Sequence, residues 1–89
     1  MKPLFIPLKS IWFRAFEVGE KDTEYRAYGP RWNRKTCVVG RQAVLAHGYG
    51  WPRLSRTICN FTMLPRAMAP KVAQEIFPDA QFIAAIQLK

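Results

Sequence analysis

The densest group of side chains that could do chemistry lies in residues 19–26, with the sequence GEKDTEYR. Glu24 and Arg26 are two residues apart, a spacing that places both side chains on one face of a β-strand. With Lys21 just before them, a cation, a carboxylate and a guanidinium could converge on a polar ligand. Since the chain has one histidine, acid–base catalysis would rest on Lys21, Glu24 or Tyr25. The alternative is a surface ion-pair cluster without a ligand.

Two aromatic segments could complete such a site. Trp32 follows Arg31, and an exposed tryptophan beside an arginine is a natural platform for a nucleobase, although it could equally cover one end of the fold. Tyr49 lies in the glycine-rich turn HGYGWP, which could clamp a ligand. The predicted ligand-binding set is therefore Lys21, Glu24, Arg26, Arg31, Trp32 and Tyr49.

The charge distribution indicates a polyanionic partner. Fourteen Lys and Arg oppose six Asp and Glu, giving a formal net charge of +8, and no acidic residue occurs from Tyr25 to Gln74. A surface built from this stretch carries a positive potential that attracts phosphates. The alternative is a charge that serves only solubility. The predicted nucleic-acid surface consists of Arg34, Lys35, Arg41, Arg53 and Arg56.

The sequence does not indicate a metal site, a cofactor site or a membrane-spanning segment. Cys37, Cys59 and the single histidine do not make a zinc pattern, so we expect neither a metal nor a cofactor. No apolar run is long enough to span a membrane, and residues 1–8 are too short for the apolar part of a signal peptide. We expect a cytoplasmic protein with reduced thiols, no membrane partner, and one domain over residues 1–89.

These candidate residues need a scaffold, and the apolar pattern predicts one. A short strand is expected at Leu4–Leu8, then a helix at Ile11–Val18 that Ser10 caps and Gly19 ends. A second strand is expected at Thr23–Tyr28. Because the chain turns after Gly19, Lys21 can point toward a cleft rather than continue along the helix. We expect the fold to tolerate alanine at Lys21 or Arg26, since neither belongs to the apolar pattern.

The rest of the chain is predicted to be mostly strand. The expected elements are a loop at 31–40 with a short strand at Thr36–Val39, a strand at Gln42–Ala46, a hairpin turn at His47–Pro52, a strand at Leu54–Leu64 with a bulge near Arg56, a helix at Lys71–Phe77 and a strand at Gln81–Leu88. This order predicts a mainly β (α+β) fold: a small open β-barrel of about five or six strands, with an N-terminal helix and a short helix before the last strand.

The cluster GEKDTEYR resembles the ASCH family signature, G-x-K-x-x-E-x-R, through Gly19, Lys21, Glu24 and Arg26. The preceding PLKSIWFRAF resembles the family's usual start, and YGPRWNRKTCVVGRQAVL followed by GYG resembles a basic subgroup of short ASCH proteins. The similarity runs to about residue 64 and is weaker beyond it. It implies a PUA-like barrel whose signature residues line a cleft, in a family whose members generally bind RNA or nucleosides.

The same resemblance implies a possible activity. A few ASCH proteins are enzymes, among them an acetylcytidine amidohydrolase and a proposed ribonuclease. In the amidohydrolase group the lysine is catalytic, a threonine stands at the place of Glu24, and a glutamate from a longer segment before the last strand completes the site. This chain keeps Lys21, has Glu24 at the threonine position, and offers Glu75 as the only glutamate in a shorter segment.

Three functions remain compatible with the sequence. The first is a binding module for RNA, single-stranded nucleic acid, a nucleotide or a modified nucleoside, favoured by the acid-free basic stretch. The second is a small hydrolase acting on RNA or a modified nucleoside, with Lys21 at its centre. The third is a protein–protein interaction module. The sequence does not indicate an oligomeric state.

Overall fold

Five β-strands and three short helical segments follow one another in the computed structural model, which describes residues 1–89. In chain order they are β1 (Leu4–Leu8), α1 (Ser10–Glu17), β2 (Thr23–Ala27), β3 (Gln42–His47), β4 (Arg53–Pro65), a 3-10 turn (Arg66–Met68), α2 (Lys71–Ile76) and β5 (Phe82–Leu88). The helices are all too short to span a lipid bilayer.

The strands form one curled sheet in the order β1-β3-β4-β5-β2. β1 runs parallel to β3, and every other neighbouring pair is antiparallel. β4 is 13 residues long; its first part pairs with β3 and its second part with β5. The sheet therefore bends around β4 into an open barrel, which confirms the predicted mainly β barrel. β1 and β2 are its two free edges.

A bulge in β4 decides which side chains enter the barrel. Ile58 pairs with Leu88 and Asn60 pairs with Gln87, so Cys59 is the extra residue. Ile58 consequently joins the main core, and Phe61 packs against the same core. The bulge predicted near Arg56 is therefore present in the strand but lies at Cys59, whereas Arg56 is in the regular part of the ladder. The bulge follows the point where β4 stops pairing with β3, at Thr57, and begins pairing with β5, at Ile58.

The two ends of α1 differ in how well the sequence predicted them. Ser10 is the first helical residue rather than the cap; Lys9 holds the cap position, without a side-chain hydrogen bond. At the other end Gly19 has φ +80°, a conformation that glycine adopts without strain. The amides of Gly19 and Glu20 donate to the carbonyls of Phe16 and Ala15, a closing motif that reverses the chain.

The segment between β2 and β3 contains no strand, so the prediction of one at Thr36–Val39 was wrong. Local hydrogen bonds hold it as a series of turns instead: the Asn33 side chain accepts from the amides of Lys35 and Thr36 and donates to the carbonyl of Gly29. Cys37 at its end is buried in the main core. These turns bring Trp32 back against the barrel, where it is 8% exposed.

Candidate ligand-binding cleft

A cleft of about 320 Å³ opens between the two free edges of the barrel. Leu8 and Trp12, from the end of β1 and from α1, form one side of it. The floor comes from β2, and α2 supplies a second, apolar side. Because a barrel edge leaves backbone and side chains uncovered by a further strand, the gap between β1 and β2 is the natural place for such a cavity.

Lys21 enters this cleft from the turn that follows α1. Its Nζ lies 5.2 Å, 5.5 Å and 5.3 Å from the ring centroids of Trp12, Phe16 and Tyr25. All three distances are within the range of cation–π attraction. The ammonium is 3.7 Å from Glu24 Oε1, an ion pair too long to be a hydrogen bond. Its donors therefore remain available to a ligand.

The surroundings of Lys21 change its protonation. Burial lowers the pKa of Lys21 below its ordinary value of 10.5, because the apolar rings disfavour the charged form. The Glu24 carboxylate opposes this shift and Arg26 adds to it. The net result is an amine that gives up its proton more readily than a solvated lysine.

Glu24 is the only charged or polar residue among the buried ones, at 6% exposed. The register with β5 explains its position: Glu24 pairs with Ile86, a main-core residue. Burying a carboxylate requires partners, and Arg26 supplies one, since its Nε donates to Glu24 Oε2 at 2.7 Å. The other carboxylate oxygen, Oε1, faces Lys21 and can still accept a hydrogen bond from a ligand.

Arg26 also connects the two free edges of the barrel. Its Nη2 donates to the backbone carbonyl of Pro7 in β1 at 2.5 Å. This is a contact between β2 and β1, strands that do not pair with each other. The guanidinium carbon lies 4.8 Å from the centroid of Trp32. Arg26 therefore lines the cleft and closes the barrel at once, and the expectation that the fold tolerates its loss must be revised.

Trp32 and Arg31 form the rim of the cleft next to Arg26. Trp32 lines the cleft but is mostly buried, so it covers the end of the barrel as well as offering part of its ring. Arg31 is exposed, and its guanidinium carbon lies 5.0 Å from the Trp32 centroid. An unpaired guanidinium at the rim can meet an anionic group of a ligand whose planar part lies inside.

The apolar side of the cleft was not anticipated from the sequence. Val72, Ile76 and Phe77 of the α2 segment line it, and Val72 and Ile76 are 44% and 48% exposed. Arg66 fixes this segment, because its guanidinium donates to the carbonyls of Gln74 and Phe77 at the end of α2. The spacing of Val72 and Ile76 by four residues was the available signal, since it marks one apolar helix face.

The structure separates Tyr49 from the other predicted ligand-binding residues. Lys21, Glu24, Arg26 and Trp32 line the cleft together with Tyr25, and Arg31 lies at its rim against Trp32. Tyr49 does not line the cleft: it is 77% exposed on the hairpin turn between β3 and β4, with its ring 6.1 Å from that of Phe5. The reason is that β1 pairs with β3 along one edge and faces the cleft along the other. The turn that follows β3 therefore lies across β1 from the cleft.

The five predicted phosphate-contacting residues fall into two groups. Arg34, Lys35 and Arg53 are exposed, whereas Arg41 and Arg56 are half-buried. Arg41 donates to the carbonyls of Lys2 and Thr36, so it also holds the loop before β3 against the N-terminal segment.

No group of three or more His, Cys, Asp or Glu residues is placed to hold a metal ion. Glu75, the only glutamate before the last strand, is exposed and does not line the cleft. Inside the cleft the only carboxylate is Glu24, which is engaged by Arg26.

Comparison with known proteins adds no family assignment. No model of a protein family matches the chain, and no curated protein is significantly similar to it. The resemblance to the ASCH signature therefore rests on its four signature residues and the segments that flank them.

Proposed function

We propose that this protein binds RNA by taking one unpaired nucleotide into the cleft between β1 and β2. The observation that carries the proposal is the composition of the cleft: aromatic and aliphatic walls around one ammonium, one carboxylate and one guanidinium. A nucleobase has the same character, with two apolar faces and a rim of donors and acceptors.

Each polar group of the cleft has a role that its geometry allows. The free donors of Lys21 suit a carbonyl or ring nitrogen of a base. Glu24 Oε1 can accept a base N–H, while Oε2 stays with Arg26. The rings of Trp12 and Tyr25 and the side chains of α2 offer apolar contact to the base faces. A cavity of about 320 Å³ falls at the small end of ligand pockets, which fits a single nucleotide better than a larger cofactor.

The charge around the cleft supports a polynucleotide over a free nucleoside. Arg31 lies at the rim, and exposed Arg34 and Lys35 follow it in the same loop. Five of the six carboxylates lie outside the cleft and outside residues 25–74. A strand whose base occupies the cleft would therefore meet cations, and few anions, along its backbone. Membership of the ASCH family, with a PUA-like barrel, is part of this proposal through Gly19, Lys21, Glu24 and Arg26.

The proposal is tested by titrating the protein with a 5′-mononucleotide and with a ten-nucleotide single-stranded RNA. Two of the three tryptophans, Trp12 and Trp32, line the cleft, so base stacking should quench their emission. Lys21→Ala should weaken both ligands by about 1.5–3 kcal/mol, the contribution of a charged hydrogen bond.

Lys2→Ala is the matched control, because Lys2 is exposed and lies before β1, at the opposite end of that strand from Leu8 and Lys9. It should leave mononucleotide affinity unchanged. Equal mononucleotide affinity of the parent and Lys21→Ala would remove the cleft as the base-binding site. Absence of RNA binding at low salt would refute the proposed function as a whole.

A second candidate function is hydrolysis of a modified nucleoside or of RNA, with Lys21 as the reactive group. The lowered pKa of Lys21 favours it, since a lysine acts as base or nucleophile only when its proton leaves readily. The separation of Glu75 from the cleft and the pairing of Glu24 with Arg26 favour binding over catalysis. Mass spectrometry of acetylated cytidine and of the RNA after incubation decides between them: products that disappear with Lys21→Ala would establish an enzyme, and unchanged substrates a binding module.

A further inference from the structure

We propose that the tip of the β3–β4 hairpin is a second stacking site, at which unpaired bases of a bound single strand lie outside the cleft. The site consists of Phe5, Tyr49, Trp51 and Arg53, which we call the hairpin platform. The inference rests on the proposed function, because it assigns these residues to the same RNA strand. None of the four lines the cleft.

Two rings of the hairpin platform are almost fully exposed. Tyr49 is 77% exposed and Trp51 is 76% exposed. Large aromatic side chains usually bury most of their surface, because water disfavours their apolar area. The Phe5 ring lies 6.1 Å from the Tyr49 ring, and Arg53 lies over both Phe5 and Trp51. Together these side chains form an exposed, largely apolar patch of the kind that marks interaction sites.

Arg53 holds this patch in a defined geometry. Its guanidinium carbon lies 4.6 Å from the Trp51 centroid and 5.3 Å from the Phe5 centroid. The same group donates long hydrogen bonds to the carbonyls of Gly50 and Tyr49. Arg53 itself is fixed by its ladder position opposite Ala46 in β3. The platform is therefore tied to the sheet, and a ligand that stacks on it need not order a free loop.

The charge of the surrounding surface indicates which class of partner the hairpin platform binds. No acidic residue occurs in the elements around the platform, which are β1, β3, β4 and the turn between β3 and β4. A negatively charged partner would therefore meet no carboxylate from these elements. A single-stranded nucleic acid offers π-faces to the rings of Tyr49 and Trp51 and phosphates to Arg53. A duplex would not fit as well, because its bases are already stacked on one another.

The hairpin platform lies across β1 from the cleft, and the turn that carries it contacts one cleft residue. The amide of Gly48, one residue before Tyr49, donates to the carbonyl of Leu8 at 2.8 Å, and Leu8 lines the cleft. A strand with one base in the cleft can therefore continue over the end of β1 toward Tyr49 and Trp51. The two sites together would explain why aromatic and basic residues occur on both sides of β1.

The test compares a ten-nucleotide oligouridylate with uridine 5′-monophosphate, for Trp51→Ala and Lys21→Ala, by calorimetry. Trp51→Ala should weaken the oligomer about 5- to 150-fold, the range expected for one lost base stack, and leave the monophosphate unchanged. Trp51→Phe should restore most of the affinity, because it keeps a ring. Met68→Ala, which removes a side chain that is 73% exposed elsewhere, should leave both ligands unaffected.

The outcomes separate the two proposals. If Lys21→Ala weakens the oligomer and Trp51→Ala does not, the hairpin platform is refuted and the cleft stands. If only Trp51→Ala weakens it, the cleft is refuted and the platform stands. Sedimentation is measured on the same samples: a parent that dimerises and a Trp51→Ala variant that is monomeric with unchanged oligomer affinity would make the patch a contact between copies of this chain, against the proposal.

Discussion

Replacement of Arg26 by alanine should destabilise the fold strongly, although Arg26 is a polar residue at a proposed ligand site. The Arg26 side chain is the only one that donates hydrogen bonds both to Glu24 in β2 and to the Pro7 carbonyl in β1. Its removal opens the seam between the two free edges of the barrel. It also leaves the buried carboxylate of Glu24 with only the 3.7 Å ion pair to Lys21.

The magnitude follows from these contacts. Each hydrogen bond with a charged partner contributes about 1.5–3 kcal/mol, and stacking on Trp32 adds about 0.5–2 kcal/mol. Removing one partner of a buried ion pair costs about 3–5 kcal/mol in total. We predict a loss in this range for Arg26→Ala. The loss is smaller than the sum of the separate contacts because the surroundings of the partly exposed Arg26 can relax. A domain of this size has a total stability on the order of 4–13 kcal/mol, so the loss would be a large part of it.

Urea unfolding followed by circular dichroism measures this loss. Arg26→Lys should cost less than Arg26→Ala, because it keeps a cation near Glu24 but loses the planar fork. Arg14→Ala, at an exposed arginine of α1, is the control and should stay within about 0.5 kcal/mol of the parent. In a Glu24→Gln background the Arg26→Ala loss should shrink by about 1–3 kcal/mol, since the two groups are coupled. A loss below about 1 kcal/mol in the Arg26→Ala single variant would refute the role of Arg26 in joining β1 to β2.

Three further predictions concern other groups. Arg66→Ala should lower the free energy of unfolding by about 2 kcal/mol and speed amide exchange in α2, because its charged hydrogen bonds to the Gln74 and Phe77 carbonyls are lost; unchanged exchange in α2 would contradict this. In an NMR titration Lys21 should lose its proton below pH 10.5, and Glu24→Gln should lower that pKa further, since the carboxylate opposes the effect of burial; an upward shift would contradict the assignment. Burial raises the pKa of the Cys37 thiol, so the unfolded thiol ionises first and stability should fall as the pH rises above about 9; Cys37→Ala should abolish that part of the pH dependence.

The local patterns in the sequence were sufficient for most of the fold. The short apolar run at Leu4–Leu8 predicted β1, the alternation at Thr23–Tyr28 predicted β2, and Gly19 predicted the end of α1, because these features depend on neighbouring residues. The errors came from competing local interactions. The side chains of Asn33 and Thr36 bond to each other's backbone and turn the chain where a short strand was predicted at Thr36–Val39.

The candidate site was only partly predictable for a different reason. Glu24 and Arg26 lie on one strand, so their spacing alone predicted that they meet. The contact between Arg26 and Pro7 joins residues 19 apart along the chain, and Val72 comes from a helix far beyond β2. Such contacts depend on the strand order, which the sequence pattern did not specify. The position of Tyr49 outside the cleft depends on the same order, because β3 pairs with β1.

The most direct test of the central claim is a two-dimensional NMR titration of the parent protein with a ten-nucleotide single-stranded RNA, which reports contacts along the whole chain. We expect the largest shifts in the indole N–H signals of Trp12 and Trp32 and in the backbone amides of Lys21 and Tyr25. Shifts confined to the exposed side of α1, or no shifts at low salt, would contradict it.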